Sequence, residues 1–148
     1  MSTRNALPLS ATHLVRDNCL CLHVQRAARG LARRFDDVFR PLGLTHGQFS
    51  LLMSLNRPEP PTLGSVAALL AMDRTTLTAA LKPLERRRLV KVSVDAEDKR
   101  SRRLAITAAG RALLARAFPL WMQTHADIER LIPGGSADDL RAGLQALS

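Results

Sequence analysis

Two clusters of cationic and hydroxyl side chains stand out among the 148 residues. The first is Arg74, Thr75, Thr76 and Thr78, with Lys82 one turn further on; the second is Asp98, Lys99, Arg100, Arg102 and Arg103. Guanidinium groups match guanine edges and phosphates, threonine methyls meet thymine methyls, and hydroxyls and ammonium groups bind phosphate oxygens. Both clusters therefore suit nucleic acid, and an arginine in the second suits a narrow minor groove. Asp95 and Asp98 are spaced to brace those arginines by charge-assisted hydrogen bonds. A basic run by itself is usually a solvated surface, so the elements that carry these clusters decide the matter.

Other reactive side chains give weaker signals. Cys19 and Cys21 are two apart in a segment that reads as helix, so their side chains diverge by about 200° and do not pair with each other; reduced thiols are expected. Cysteine is among the most buried residue types, which favours a structural role for Cys21. Cys19 and His23 share a helical face at a spacing suited to two metal ligands, but zinc needs three or four and the remaining histidines are scattered, so no metal is expected. No nucleophile elbow or glycine-rich phosphate loop occurs, so neither catalysis nor a cofactor is expected.

The elements follow from periodicity and punctuation. Val15, Cys19, Leu22, Leu31, Phe35 and Val38 recur at helical spacing and predict one long amphipathic helix over residues 11–39, stopped by Pro41 and Gly43. Thr45 with Gln48 has capping-box form and opens a second helix to about residue 56. The prolines of RPEPP, residues 57–61, then impose a rigid loop. Thr62 caps a short helix, residues 63–70, and Asp73 caps a longer one with Leu77, Leu81 and Leu84 on one face. Val90, Val92 and Val94, then Leu104 and Ile106, alternate with polar residues and predict a β-hairpin with a basic tip. Thr107 caps a helix to about residue 132, with Leu113, Leu114, Ala117, Leu120, Trp121, Ile128 and Leu131 as its apolar set and a kink expected at Pro119. Ser136 with Asp139 opens a terminal helix bearing Leu140, Leu144 and Leu147.

Length, charge and patterning bound the whole. The chain has the size of one domain with its own core, 1–148, and shows no internal repeat and no long linker. Its 22 Lys and Arg against 13 Asp and Glu give a formal charge of +9, which favours a polyanionic partner. No apolar stretch approaches the roughly 20 residues of a membrane span, and the first residues carry no signal-peptide apolar block, so a cytoplasmic location without membrane association is expected.

Helix, tight turn, second helix and basic hairpin, in that order over residues 62–107, describe a winged helix-turn-helix. The stretch LGSVAALLAMDRTTLTAALKPLERRRLVKVSVDAEDKRSRRLAITAAG resembles the core of the MarR (multiple antibiotic resistance regulator) family, including its D-x-x-D-x-R wing and T-x-x-G; GLTHGQFSLL resembles that family's second helix. The resemblance covers essentially the whole chain. It implies a mainly α fold with a small β-hairpin wing, dimerisation helices at about 11–39 and 108–147, and a winged helix-turn-helix at about 45–107. It further implies a homodimer on double-stranded operator DNA, usually repressing, and released by a small molecule or an oxidant. The family's small-molecule pocket lies between the dimer helices and the winged domain; here His23, Arg26, His46, Phe49 and Trp121 are the candidate lining, and Arg26 suits an anionic effector such as an aromatic carboxylate. Cys21 stands where the family's organic-hydroperoxide sensors place their reactive cysteine, which makes sulfenic acid or an intersubunit disulfide the redox alternative. Those sensors hold the thiol with tyrosines, and this chain has none.

Two residues depart from the family pattern. Arg88 replaces the glycine that usually ends the second helix of the motif in a left-handed turn, at a cost of about 1 kcal/mol. Pro83 lies inside the proposed recognition helix and should bend it after Ala80, concentrating DNA contacts before it. A more remote reading is a nonspecific nucleic-acid or protein-interaction module, against which the aromatic content of 3% counts for RNA. On the main reading, Arg100 contributes to every duplex, whereas Arg74 and Thr76 set sequence preference.

Overall fold

The computed structural model describes residues 6–148. It opens with α1 (Leu9–Asn18) and α2 (Leu20–Phe39), so the single helix expected over residues 11–39 is divided. Cys19 interrupts it in an extended conformation: its amide closes α1 on the Val15 carbonyl, and its sulfur accepts the Leu22 amide as N-cap of α2. Asn18 supports the break by donating its side-chain amide to the Leu14 carbonyl at 2.9 Å, satisfying a helix-end acceptor.

A turn of 3-10 helix, Arg40–Leu42, leads to Gly43 in the left-handed region and then to α3 (His46–Ser54). The capping box is present in full: Thr45 Oγ1 accepts the Gln48 amide, and the Gln48 side chain accepts the Thr45 amide. After the proline loop come α4 (Leu63–Leu69) and α5 (Arg74–Arg86), capped by Thr62 and Asp73 as their spacing requires. Pro83 deprives only the Ala79 carbonyl of its donor, and α5 continues through it to Arg86.

Both helices of this pair end in the same motif. At α4 the Met72 amide reaches the Ala67 carbonyl and the Ala71 amide reaches Ala68; at α5 the Leu89 amide reaches Leu84 and the Arg88 amide reaches Glu85. These are the paired bonds of a Schellman end, which needs a left-handed residue at its centre. Ala71 and Arg88 supply it, with φ of 52° and 57°, although neither is glycine. The turn at Arg88 therefore keeps the usual shape and carries the backbone strain.

The hairpin pairs β1 (Val90–Val94) antiparallel with β2 (Arg102–Ile106), Val90 opposite Ile106 and Val94 opposite Arg102. Thr107 then joins the hairpin to α6 (Ala108–Glu129). Its amide donates to the Leu89 carbonyl and its hydroxyl to the Arg88 carbonyl at 2.7 Å, while Oγ1 accepts the Gly110 amide. A Cβ on Gly110 would stand 2.3 Å from the Leu89 carbonyl oxygen, which is why the T-x-x-G pattern ends in glycine. The helix persists through Pro119, and α7 (Ala137–Ala146) follows, capped by Ser136.

The core gathers where the end of α2, α3, α5, the base of the hairpin and the middle of α6 meet. Phe39, Leu52, Leu55, Val66, Leu77, Leu81, Leu84 and Leu104 are its largest fully buried side chains. Leu77, Leu81 and Leu84 form the inward row of α5, which turns the opposite face of that helix to solvent.

Candidate nucleic-acid interface

Because α5 packs by its leucine row, Arg74, Thr75, Thr76, Thr78 and Lys82 are all exposed. Their hydroxyls are not equivalent. Thr76 donates its hydroxyl to Asp73 at 2.9 Å, and Asp73 also accepts the Thr76 amide at 2.7 Å; Thr78 donates to the Arg74 carbonyl at 2.7 Å. The Thr76 amide, and next its hydroxyl, hold the Asp73 carboxyl below the ordinary carboxylate range, so the cap stays ionised. The start of the helix is thus fixed internally while its outer face stays free.

The wing is built from an aspartate turn at each end. Asp98 accepts the Arg100 amide at 3.0 Å, and Asp95 accepts the Glu97 amide at 3.0 Å, the main cause of its lowered pKa. Asp95 also receives Arg103 Nε at 3.1 Å, while Arg103 Nη1 donates to the Pro60 carbonyl. Half-buried Arg103 is therefore a brace between the wing and the loop before α4. The Leu104 amide donates to the Pro61 carbonyl and reinforces the same joint. Lys99, Arg100 and Arg102 remain exposed at the tip and its return, with the Arg100 side chain 96% exposed and 3.8 Å from Asp98.

The candidate effector residues do not converge as a set. Phe49 and Trp121 line one apolar cavity of about 510 Å³ between α3, the end of α4 and α6, together with Met53, Leu69, Leu70 and Phe118. Arg57 is its one charged lining residue, which sequence reasoning missed because the proline loop hid where that side chain would fall. His23, Arg26 and His46 do not line it. His46 instead gives its amide and Nδ1 to Asp36 at 2.7 and 2.9 Å, and these contacts, the amide first, lower the Asp36 pKa. His23 places Nδ1 2.8 Å from the Cys19 carbonyl, and Arg26 is exposed on α2. Trp121 stacks on His125 and Phe118, with centroids 4.7 and 5.9 Å apart.

Within the single chain Cys21 is exposed, where residue type favours burial. Its sulfur accepts the Gln25 side-chain amide at 3.1 Å, and it lines a pocket with Leu20, Val24 and Leu147.

A helix pair whose second member presents an uncovered polar face, followed by a basic antiparallel hairpin braced to the first, defines the winged helix-turn-helix class. The MarR family model matches residues 44–101. The transcriptional regulator MosR of M. tuberculosis, solved in complex with DNA, superposes with a TM-score of 0.80 at 37% identity, over 88% of this chain and 93% of that one. The transcriptional repressor CouR, bound to a 23-mer DNA duplex, superposes at 0.72 with 30% identity, over 97% of this chain and 96% of that one. The organic hydroperoxide resistance transcriptional regulator of Bacillus subtilis is 28% identical over 108 residues, 73% of this chain and 74% of that relative. The chain belongs to the MarR family, whose relatives here are transcriptional regulators. Among the described residues no helix is long and apolar enough to cross a membrane.

Proposed function

We propose that the protein is a homodimeric, sequence-specific double-stranded DNA-binding repressor, active in the cytoplasm and without catalytic activity. The observation that carries this reading is the outer face of α5, with Arg74, Thr75 and Lys82 uncovered beside a wing whose tip holds Lys99, Arg100 and Arg102. A helix placed this way enters a major groove while the wing reaches the adjacent backbone or minor groove. MosR and CouR, each solved on DNA at 30% identity or more, support it. Selection of bound fragments from a random duplex library at near-physiological salt tests it: an inverted repeat is expected, and recovery of random sequence overturns sequence-specific binding.

The apolar cavity favours control by a small molecule. An aromatic body would lie among Met53, Phe118 and Trp121, and an anionic group would meet Arg57. Leu69 and Leu70 line the same space and lead directly into the left-handed turn before α5, so an occupant would act on the approach to the recognition helix.

Exposure of Cys21 favours a second reading, thiol-based control. Its thiolate would attack an organic hydroperoxide, forming the S–O bond of a sulfenic acid as the O–O bond breaks and an alcohol leaves. Peroxide that releases the wild-type protein from its selected duplex but not Cys21→Ser would establish it; equal behaviour of the two would remove it.

A further inference from the structure

The exposed arginines of α5 and the wing are not independent. Arg74, Arg100 and Arg102 line one cleft of about 340 Å³ with Gly64, Asp98 and Ser101, between the start of α4, the start of α5 and the wing. Arg74 crosses this cleft: its Nη2 lies 3.0 Å, and its Cζ 3.7 Å, from where a Cβ on Gly64 would stand. The guanidinium is laid against the α4 backbone on the wing side, and glycine at 64 gives it that room. From the opposite wall Arg102 turns back onto the wing, giving Nη1 to the Lys99 and Ser101 carbonyls at 3.2 and 3.3 Å, which leaves its other donors available. Three guanidinium groups face a single carboxylate, Asp98, whose Oδ1 already accepts the Arg100 amide. Such a concentration of like charge calls for an anion.

We propose that this cleft seats one phosphodiester group of duplex DNA, and that Arg74 is a backbone-positioning residue docking α5 to the wing rather than a reader of base edges. The inference rests on the DNA-binding reading and revises the sequence-based assignment of Arg74 to base preference. Base reading at the start of α5 then falls to Thr75, whose hydroxyl is the free donor among the threonines, since those of Thr76 and Thr78 donate internally.

The test measures the full-length dimer against two labelled duplexes, the sequence recovered by selection and a scrambled one, across a range of salt. For Arg74→Ala the affinity should fall by about tenfold on both duplexes, as for loss of a charge-assisted bond. The slope of log K against log salt should shrink by about 0.9 per protomer, one phosphate contact each. Gly64→Leu, which fills the space under the guanidinium, should give the same uniform loss with a melting temperature no lower than wild type, since glycine within a helix is the less stable choice. Thr75→Ala should instead change the recovered sequence. An altered sequence preference in Arg74→Ala, an unchanged salt slope, or wild-type binding by Gly64→Leu would each overturn the assignment. Failure of the wild-type protein to bind either duplex overturns the DNA-binding reading itself, and is told apart by appearing before any substitution is made.

Discussion

The DNA-reading unit and the helices that flank it are held together differently. Between Thr62 and Gly110 every helix start has a side-chain cap, the left-handed turns are closed by paired backbone bonds, and the inward rows of α5 and β2 are buried to within a few per cent. The terminal helices α1 and α7 bury no residue within this chain. Leu9, Leu14, Val15, Leu140, Leu144 and Leu147 are all large, apolar and exposed. Amphipathic helices with an uncovered apolar face gain stability only when something covers that face. The first region shares one buried core with α2, α3 and α6 of its own chain, whereas α1 and α7 have no such core to join, and a second copy of the chain fits the proposed homodimer.

The largest expected effect lies at the joint between the two regions. Gly110→Ala would force a Cβ to within 2.3 Å of the Leu89 carbonyl and 2.7 Å of Ile106 Cγ1, neither of which can yield without moving the end of α5 or the hairpin. A loss of about 3 kcal/mol is expected in urea unfolding, at the upper end for overpacking. Near wild-type stability would show that the joint is looser than its hydrogen bonds indicate.

Leu144→Glu separates the regions more directly. Removing one leucine from a covered apolar face costs about 2 kcal/mol, and a buried glutamate adds to that. The expected result is dissociation in sedimentation equilibrium, together with loss of the wild-type dependence of the unfolding midpoint on protein concentration. A variant that remains dimeric would remove α7 from the interface.

Arg88 shows why some of this was legible and some was not. Its place after a helix, where the family pattern has glycine, marked it in the sequence as a left-handed turn residue, and the structure keeps that turn at φ 57°. The caps at Thr45, Thr62, Asp73 and Thr107 were equally readable, because capping depends on a hydroxyl or carboxylate at a fixed offset from the first helical amides. The break at Cys19 was hidden: apolar spacing runs through it, neither Gly nor Pro marks it, and cysteine is an uncommon cap. The poor helix formers Asp17 and Asn18 just before it were the available signal. The apolar cavity was half legible, since Phe49 and Trp121 lie on helices read from the sequence whereas Arg57 sits in a loop. Exposure of Cys21 follows from its position on α2, where residue-type statistics pointed the other way.

Substituting Arg88→Gly sharpens the contrast by changing only the DNA-reading unit. Glycine relieves the left-handed strain, so a gain of about 1 kcal/mol is expected. The increment should be the same at every protein concentration in thermal melts of otherwise unaltered protein. A loss would mean that the arginine side chain, rather than the backbone bonds to Leu84 and Glu85, holds the turn.

The smallest expected effect is a pH dependence confined to the same unit. Asp73 is held below its ordinary pKa by the Thr76 amide and hydroxyl, so its contribution is fully present above the unfolded carboxylate value and is lost as pH falls through the folded one. With the unfolded value near about 3.9, the loss belongs below about pH 4, well away from neutrality. Asparagine caps through the same oxygen position but does not titrate. Melting temperatures of wild type and Asp73→Asn should therefore differ most at neutral pH and converge only as pH falls below about 4. A constant difference over that range would mean that the charge on Asp73 contributes nothing to the start of the recognition helix, and that its hydrogen bonds to Thr76 alone fix it.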